Sequence, residues 1–299
     1  MSEPLTLRAV TKRYGERVVV RGVDFALRPG ERVALLGHNG AGKTTLMKMA
    51  LGLAAVTSGD IRVNGHDPTT MPASVRRGIG FLPENVAFDP GMTGREMLSF
   101  YAALKHRGAK EVTALLEQVG LAEAAGRRVG TWSKGMRQRL GLAQAVLGTP
   151  RLLLLDEPTS GLDPEYRQAF YELLAERARG GTAVLLSSHL LTELEEKTDR
   201  VLIVDHGLLI AQGTLEELRV RADRPFGMRV LARPGHDLSA ALADLAPRPD
   251  GAWLHLACRP ADKMAVLRRL AALDGVADIE LHPPGLDDLY AHFLGEEAR

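Results

Sequence analysis

A glycine-rich segment at residues 37 to 45 has the composition of a loop that holds phosphate groups. It fits the pattern G-x-x-x-x-G-K followed by Ser or Thr, and it lies between an apolar strand and a predicted helix. The glycines let backbone N–H groups curl around phosphate oxygens, Lys43 supplies a positive charge, and Thr44 is predicted to hold Mg²⁺. A ligand-free glycine turn is the alternative, and the flanking elements disfavour it. The residues predicted to contact phosphate are Gly37, His38, Asn39, Gly40, Ala41, Gly42, Lys43, Thr44 and Thr45.

Two carboxylates follow a run of four leucines at residues 152 to 155. A buried strand here would deliver Asp156 and Glu157 to the edge where open parallel sheets bind ligands. Asp156 suits Mg²⁺, whereas Glu157 points to the other side of the strand and could take a proton from water. A solvated strand end is the alternative. Together with the phosphate loop, the pair predicts a nucleotide triphosphatase.

The elements that must position these residues alternate between strand and helix. Apolar β-branched runs and helical spacing predict an α/β fold with a mostly parallel sheet flanked by helices. Thr93 and Glu96 form a capping box at the start of one helix. The predicted strands are 17–20, 32–36, 60–63, 152–155, 183–187 and 201–204. The predicted helices are 44–54, 93–106, 112–119, 135–147, one beginning after Asp163 and Pro164, and 190–198.

A change in composition near residues 214 to 224 predicts a domain boundary. Thr214 and Glu217 cap a short linking helix at 214–223, and the chain then becomes rich in Pro, Gly and Arg. We expect an ATPase domain at 1–213 with a helical subdomain at about 90–150, and a small α+β domain at 224–299 for dimerisation or regulation. The strands expected in that domain are 228–231, 253–257 and 277–282, and the helices are 238–245, 263–273 and 286–294.

Composition excludes several classes of protein. The 299 residues carry 38 basic and 37 acidic side chains. Neither half of the chain has the basic excess of a nucleic-acid binder. No apolar run reaches the roughly 18 to 20 residues of a membrane-spanning helix, and we expect no signal peptide. The single cysteine, Cys258, cannot form an internal disulfide. The nine histidines are scattered singly, and we expect no metal other than Mg²⁺.

The segment between the two phosphate-site motifs resembles the signature motif of ATP-binding-cassette (ABC) ATPases, usually LSGGQ. It reads Thr131-Trp132-Ser133-Lys134-Gly135-Met136-Arg137-Gln138-Arg139. Four other segments match motifs of that family, in the same order along the chain. Tyr14 matches the aromatic residue that stacks on adenine, and 81–84 matches the glutamine loop. The 160–163 segment matches the loop at the dimer interface, and His189 matches the switch histidine. The resemblance implies a P-loop NTPase of ABC type, with a mixed sheet core, an antiparallel β subdomain and a helical subdomain.

The resemblance also implies how the site works. Two chains pair head to tail, and each ATP lies between the phosphate loop of one chain and the signature of the other. Glu157 and His189 are the implied catalytic residues, and Thr44, Glu84 and Asp156 are the implied Mg²⁺ ligands. Glu84 replaces the usual glutamine, and Met136 replaces the last signature glutamine, which predicts an altered rate. The remaining residues implied to contact ATP are Tyr14, Ser133, Lys134, Gly135, Met136 and Asp163.

With one cassette in the chain, the resemblance implies a motor subunit beneath a separate permease of ABC-2 type. We expect it in the cytoplasm, on the inner face of the cell membrane. The 82–86 segment and the tail at 278–290 are similar to the ATPase of the copper-associated transporter for nitrous-oxide reductase maturation, which implies a periplasmic accessory protein. Alternatives are another ABC-2 exporter, of drug, lipid or polysaccharide, or a soluble ABC ATPase acting on ribosomes or DNA, which the balanced charge disfavours.

Overall fold

A computed structural model describes residues 3–188 and 191–297. Contacts between Cα atoms divide the chain into two compact units, residues 1–212 and 213–299. The strands of the first unit are β1 Leu5–Tyr14, β2 Arg17–Leu27, β3 Arg32–Leu36, β4 Ser58–Val63, β5 Ile79–Leu82, β6 Leu152–Leu155, β7 Ala183–Ser187, β8 Arg200–Asp205 and β9 Leu208–Gly213. Its helices are α1 Lys43–Ala50, α2 Ala73–Arg76, α3 Gly94–Leu104, α4 Ala109–Gln118, α5 Lys134–Val146 and α6 Pro164–Arg179. Among the described residues, every helix is too short or too polar to cross a bilayer.

A six-stranded mixed sheet forms the centre of the first unit, in the order β5-β6-β7-β3-β8-β9. The first five strands run parallel, and β9 returns beside β8 through the two-residue turn His206-Gly207. Every residue of β6 and β7 is buried, which explains their continuous apolar runs. The carboxyl ends of β3, β6 and β7 therefore meet at one edge, and β7 lies between the other two.

A three-stranded antiparallel sheet, in the order β2-β1-β4, packs on the same core as the central sheet. Leu7 and Val23 from the small sheet share one apolar cluster with Met47 of α1 and Leu154 of β6. The apolar side of helix α1 is therefore packed into this core, which holds its first residues at the sheet edge.

The helical region consists of α3, α4 and α5. The Thr93 and Glu96 capping box forms as predicted, with the Thr93 hydroxyl accepting from the Glu96 N–H. The indole of Trp132 lies on the start of α3, where a Cβ added to Gly94 would be 2.2 Å from its ring. Glycine is likewise required at Gly80 of β5, because a Cβ there would lie 2.1 Å from the Ala145 carbonyl oxygen of α5.

A half-buried lysine connects the helical region to the central sheet. The Lys105 ammonium donates to the carbonyl oxygens of Ile79 in β5 and Leu147 after α5, at 3.3 and 2.9 Å. Burial lowers the pKa of Lys105 to about 8. The two carbonyl partners keep the ammonium hydrogen-bonded where little water reaches it.

The second unit is an antiparallel sheet in the order β11-β12-β10-β13 covered by helices. Its elements are α7 Leu215–Ala222, β10 Phe226–Ala232, β11 Arg248–Asp250, β12 Trp253–Cys258, α8 Lys263–Ala272, β13 Val276–His282 and α9 Leu286–Glu297. Met228, Val230, Leu256 and Leu270 form a core of their own. Helix α7 begins with the predicted capping box of Thr214 and Glu217.

Two predicted helices are wrong. The described part of 190–198 contains only a 3₁₀ turn, Leu191–Glu193. Hydrogen bonds between residues three apart tighten the backbone here. Directly after this segment, Asp199 accepts a hydrogen bond from the Arg32 N–H of β3. The 238–245 segment likewise forms turns and a 3₁₀ helix, Ala243–Leu245. Leu238 and Leu242 are nevertheless buried, so the apolar spacing correctly indicated which residues are buried but not the backbone conformation. The prediction also omitted the short elements β5, β9, β11 and α2.

Candidate nucleotide-binding site

The 37–45 segment leaves β3 as a loop that requires glycine at positions 37 and 42. A Cβ on Gly37 would lie 2.5 Å from the Val204 carbonyl oxygen. Gly42 adopts φ 107°, and a Cβ there would lie 2.9 Å from the Val19 carbonyl oxygen. The glycines thus let the backbone curl tightly into the start of α1, and His38 to Gly40 and Gly42 to Thr45 line a cleft.

Lys43 occupies the base of that cleft and is only 7% exposed. Its ammonium donates to the Gly37 and His38 carbonyl oxygens at 2.5 and 3.3 Å. Burial lowers the pKa of Lys43, while the charges of Glu157, Asp156 and Glu84 oppose that shift. A buried cation with only carbonyl partners is a strong binding group for an incoming phosphate.

A chain of hydrogen bonds joins the loop to the acidic strand. The Thr44 hydroxyl donates to Asp156 Oδ2 at 2.7 Å, and the Ser187 hydroxyl donates to Asp156 Oδ1 at 2.7 Å. Asp156 is 5% exposed, and Ser187 is fully buried at the end of β7. Hydroxyl and carboxylate oxygens are the donors that Mg²⁺ prefers, so Thr44 and Asp156 fit that ion.

Glu157 lies next to these hydrogen bonds, in a backbone conformation that changes the direction of its side chain. Its φ of 48° is in the left-handed region, and its N–H donates to the Ser187 hydroxyl at 2.9 Å. Glu84, Asp156 and Glu157 line the same cleft as His38 to Gly40 and Gly42 to Thr45. The structure thus brings the phosphate loop, the acidic pair and Glu84 together.

The signature residues lie elsewhere on the unit. Ser133 is exposed and caps α5, its hydroxyl accepting from the Met136 N–H at 3.2 Å. The Lys134 ammonium donates to the Ser160 hydroxyl at 3.2 Å, beside Gly161. Asp163 is exposed at the N-cap of α6. No described residue lining the cleft belongs to 133–136 or 160–163.

Comparison with known proteins assigns this arrangement to a family. A family profile described as ABC transporter matches residues 20–160. The doxorubicin resistance ATP-binding protein DrrA of Mycobacterium tuberculosis is 37% identical, with 96% of this chain and 92% of that protein aligned. The chain belongs to the ATP-binding subunits of ABC transporters.

Two further relatives agree. The Nod factor export ATP-binding protein I of Burkholderia orbicola is 35% identical, with 98% of each chain aligned. A solved ATP-binding subunit of an ABC transporter is 32% identical, with a TM-score of 0.69 over 73% of this chain and 92% of that one. The predicted ABC-type P-loop fold is confirmed. As an ABC ATPase, the chain hydrolyses ATP with Mg²⁺, and ABC ATPases of this type dimerise and pair with a membrane permease.

Tyr14, which also matches an ABC motif, lies outside the cleft lining. Tyr14 ends β1 and is 49% exposed, with the Lys12 ammonium 4.6 Å from its ring centroid. It is absent from the described residues that line the cleft. His189 lies outside the described residues, so its predicted role stays a prediction.

Sequence reasoning missed two buried polar side chains that support the ABC site. Ser187 orders both acidic residues, and the Gln138 amide donates to the Pro158 carbonyl oxygen at 3.1 Å, which fixes α5 to the loop after the acidic pair. The sequence offered a signal for each. Ser187 is a polar residue at the end of an apolar strand, and Gln138 is an amide on the apolar side of a helix.

Proposed function

We propose that this chain is the motor ATPase of an ABC-2 type exporter that moves an amphipathic molecule of the drug, lipid or polysaccharide class. The observation that carries the proposal is that the doxorubicin-resistance and Nod-factor-export relatives align along 96% and 98% of this chain. The similarity therefore extends past the cassette into the second unit, where ATPases of different transporters are free to diverge.

In this proposal the cleft residues divide the work of hydrolysis. Lys43 and the loop N–H groups hold the β- and γ-phosphates, and Thr44 and Asp156, with Glu84 nearby, hold Mg²⁺. The metal supplies charge stabilisation to the transferring phosphoryl group. Glu157 takes the proton from the attacking water, and its position depends on the bond from its N–H to Ser187.

A second copy of the chain completes the site. Ser133 and the N-terminus of α5, from Lys134 to Met136, present a hydroxyl and the positive end of the helix dipole to the γ-phosphate held by the other copy. Asp163 is proposed to lie at the same interface, with Tyr14 on the adenine and His189 on the γ-phosphate. Loss of the γ-phosphate removes these contacts and lets the two copies separate.

The proposed permease contact is the outer face of α3, next to the exposed Glu84 loop. Phe100 and Leu104 are 52% and 57% exposed and lie four residues apart, on one side of the helix. Apolar exposure of this kind is typical of a partner surface. The ATPase domain of this proposal is 1–213, with its helical subdomain at about 90–150. It works at the inner face of the cell membrane.

The second unit is proposed to stabilise or regulate the dimer. It comprises the linking helix at 214–223 and the α+β domain at 224–299, with its own apolar core. A unit that is folded around a separate core can change between transporters without disturbing the ATP site.

The nitrous-oxide reductase assignment is a second candidate. The 82–86 segment and the 278–290 tail favour it. However, the relatives reported above are a drug-resistance protein and a Nod-factor exporter. Copper and a periplasmic accessory protein belong to this second candidate alone.

Transport tests separate the two candidates. We expect the complex of this chain with its permease, reconstituted in lipid vesicles, to raise its ATP turnover several-fold with an amphipathic substrate such as doxorubicin or a lipo-oligosaccharide. Stimulation only by a copper-protein partner would support the second candidate. Recovery from detergent extracts with ribosomes, and never with a membrane protein, would contradict both.

The permease surface has a matched control. We expect Leu104→Asp to reduce recovery of the permease with the ATPase by at least about tenfold, because it places a charge in an apolar contact. Leu53→Asp changes a still more exposed leucine, 68% exposed, outside the helical region and should leave recovery unchanged. Equal losses in both variants would contradict α3 as the docking surface.

A further inference from the structure

Two histidines and an aspartate meet beside the phosphate loop. His38 belongs to the loop that follows β3, Asp205 ends the neighbouring strand β8, and His206 begins the turn into β9. One ligand atom from each of the three lies within 4.8 Å of the others. The expectation that the histidines are scattered singly is therefore wrong here, because parallel pairing of β3 with β8 joins residues that are far apart in sequence.

The three side chains converge on one carboxylate. His38 Nε2 is 2.8 Å from Asp205 Oδ1, and His206 Nε2 is 3.9 Å from Asp205 Oδ2. The two imidazole centroids are 4.9 Å apart. The Asp205 side chain is 12% exposed, whereas His206 is 76% exposed, so solvent reaches a site whose carboxylate is held in place.

The hydrogen bonding of His38 calls for a cation. Its Nδ1 is 2.8 Å from the Asn39 carbonyl oxygen, and its Nε2 faces a carboxylate oxygen. Both partners are acceptors only, whereas a neutral imidazole has a single N–H to donate. If Nδ1 carries that hydrogen, the lone pair of Nε2 faces the carboxylate, an arrangement that a cation between them relieves. A carbonyl bonded to the second imidazole nitrogen is the usual support of a metal-bound histidine.

We propose that His38, Asp205 and His206 bind a divalent transition-metal ion of the Zn²⁺ class. Two imidazoles and one carboxylate suit Zn²⁺, whereas Mg²⁺ prefers oxygen ligands and takes the separate site at Thr44 and Asp156. Three protein ligands leave at least one coordination position to solvent.

Such an ion would fasten the phosphate loop to the β8–β9 turn. The Gly207 N–H already donates to the Ala41 carbonyl oxygen of the loop at 3.1 Å, and the Gly207 carbonyl oxygen accepts from Arg21 N–H at 2.8 Å. His38 also lines the nucleotide cleft. Metal binding therefore restrains the loop that must curl around the triphosphate, which makes the site a means of regulating the motor.

A Zn²⁺ titration of the tag-free, chelator-treated full chain tests the proposal. The buffer contains excess Mg²⁺ to occupy the Thr44 site and no nucleotide, because ATP itself binds Zn²⁺. Competition with a chromophoric chelator should show one tight ion for each chain. Co²⁺ in place of Zn²⁺ should give the visible absorption of a site with nitrogen ligands.

The decisive variant is His206→Asn, which removes a ligand while asparagine tolerates the left-handed φ of 43° at this position. We expect it to weaken Zn²⁺ binding by at least about tenfold. His255→Ala is the matched control, because His255 is an exposed histidine 3.0 Å from the carboxylate of Asp250. Its binding should equal that of the unchanged chain. Circular dichroism melts confirm that both variants fold.

Hydrogen exchange supplies a second readout. Zn²⁺ should slow exchange of peptides that cover 37–43 and 204–209 in the unchanged chain and leave the His206→Asn variant unaffected. Unchanged Zn²⁺ affinity in His206→Asn, an equal loss in His255→Ala, or no stoichiometric binding would overturn the proposal. None of these outcomes depends on ATP hydrolysis or on a permease.

Discussion

The cleft around Lys43 and the surface around Ser133 are built in different ways, although the proposed function uses both on one ATP. Thr44, Asp156 and Ser187 form a hydrogen-bonded chain, and the last two are buried at the end of parallel strands. Ser133, by contrast, is exposed, and its hydroxyl bonds the N–H of its own helix.

The difference shows which half of the site is preorganised. In the cleft, packing of the sheet fixes the polar groups before any ligand arrives, so little reorganisation accompanies binding. At the signature, a helix cap keeps the hydroxyl and the α5 N-terminus at the surface, where only another molecule can use them. Substitutions in the cleft should therefore affect chemistry, and substitutions at the signature should affect pairing.

The largest effect is expected at Glu157. Glu157→Gln removes the carboxylate proposed to take a proton from water, which should slow hydrolysis by about 10²- to 10⁴-fold. ATP binding should persist, and gel filtration should show a dimer trapped with ATP. Glu165→Gln, on the exposed first turn of α6, is the control and should hydrolyse normally. Unchanged hydrolysis in Glu157→Gln would contradict its role as base.

Mixing two inactive chains tests whether the halves come from different copies. Lys43→Ala disables the cleft, and Ser133→Asp places a negative charge against the γ-phosphate while keeping a favourable N-cap for α5. Each chain alone should lose hydrolysis, and a mixture should regain part of it, because a head-to-tail pair contains one site with neither change. A mixture as inactive as its components would argue against the shared site.

The smallest effect is expected at Ser187. Ser187→Ala removes one of the two hydroxyl donors of Asp156 and the hydroxyl that accepts from the Glu157 N–H, which should lower the free energy of unfolding by about 1–3 kcal/mol. Hydrolysis should fall by about 10- to 100-fold, as for other supports of a metal ligand. Ser74→Ala changes an exposed serine of α2 and should change both quantities little. Urea unfolding and ATPase assays measure the pair.

Sequence reasoning located the preorganised half well. The apolar runs of β6 and β7 gave their bounds, because strands buried on both faces leave a continuous signal. The capping boxes at Thr93 and Thr214 marked two helix starts, because the cap is a local interaction. The glycine pattern at 37–45 likewise reflects a backbone constraint within a few residues.

Features that depend on distant neighbours were missed. Strand β5 contains Gly80, a poor strand former, and is held there because α5 approaches its backbone. The segment at 190–198 has helical spacing, but the pairing of Asp199 with Arg32 shortens its path. The contact of His38 with Asp205 required knowing that β8 lies beside β3. None of these constraints can be read from adjacent residues.

The contact of the Trp132 indole with Gly94 bears on how the helical region would transmit force. Trp132 immediately precedes Ser133, and its ring lies against the first residue of α3, where no side chain cushions the contact. A push on the exposed end of α3 would therefore travel along the helix and reach the signature serine without being absorbed by soft packing. In the function proposed above, this contact between a rigid ring and the backbone would couple the permease surface of α3 to the serine at the start of α5.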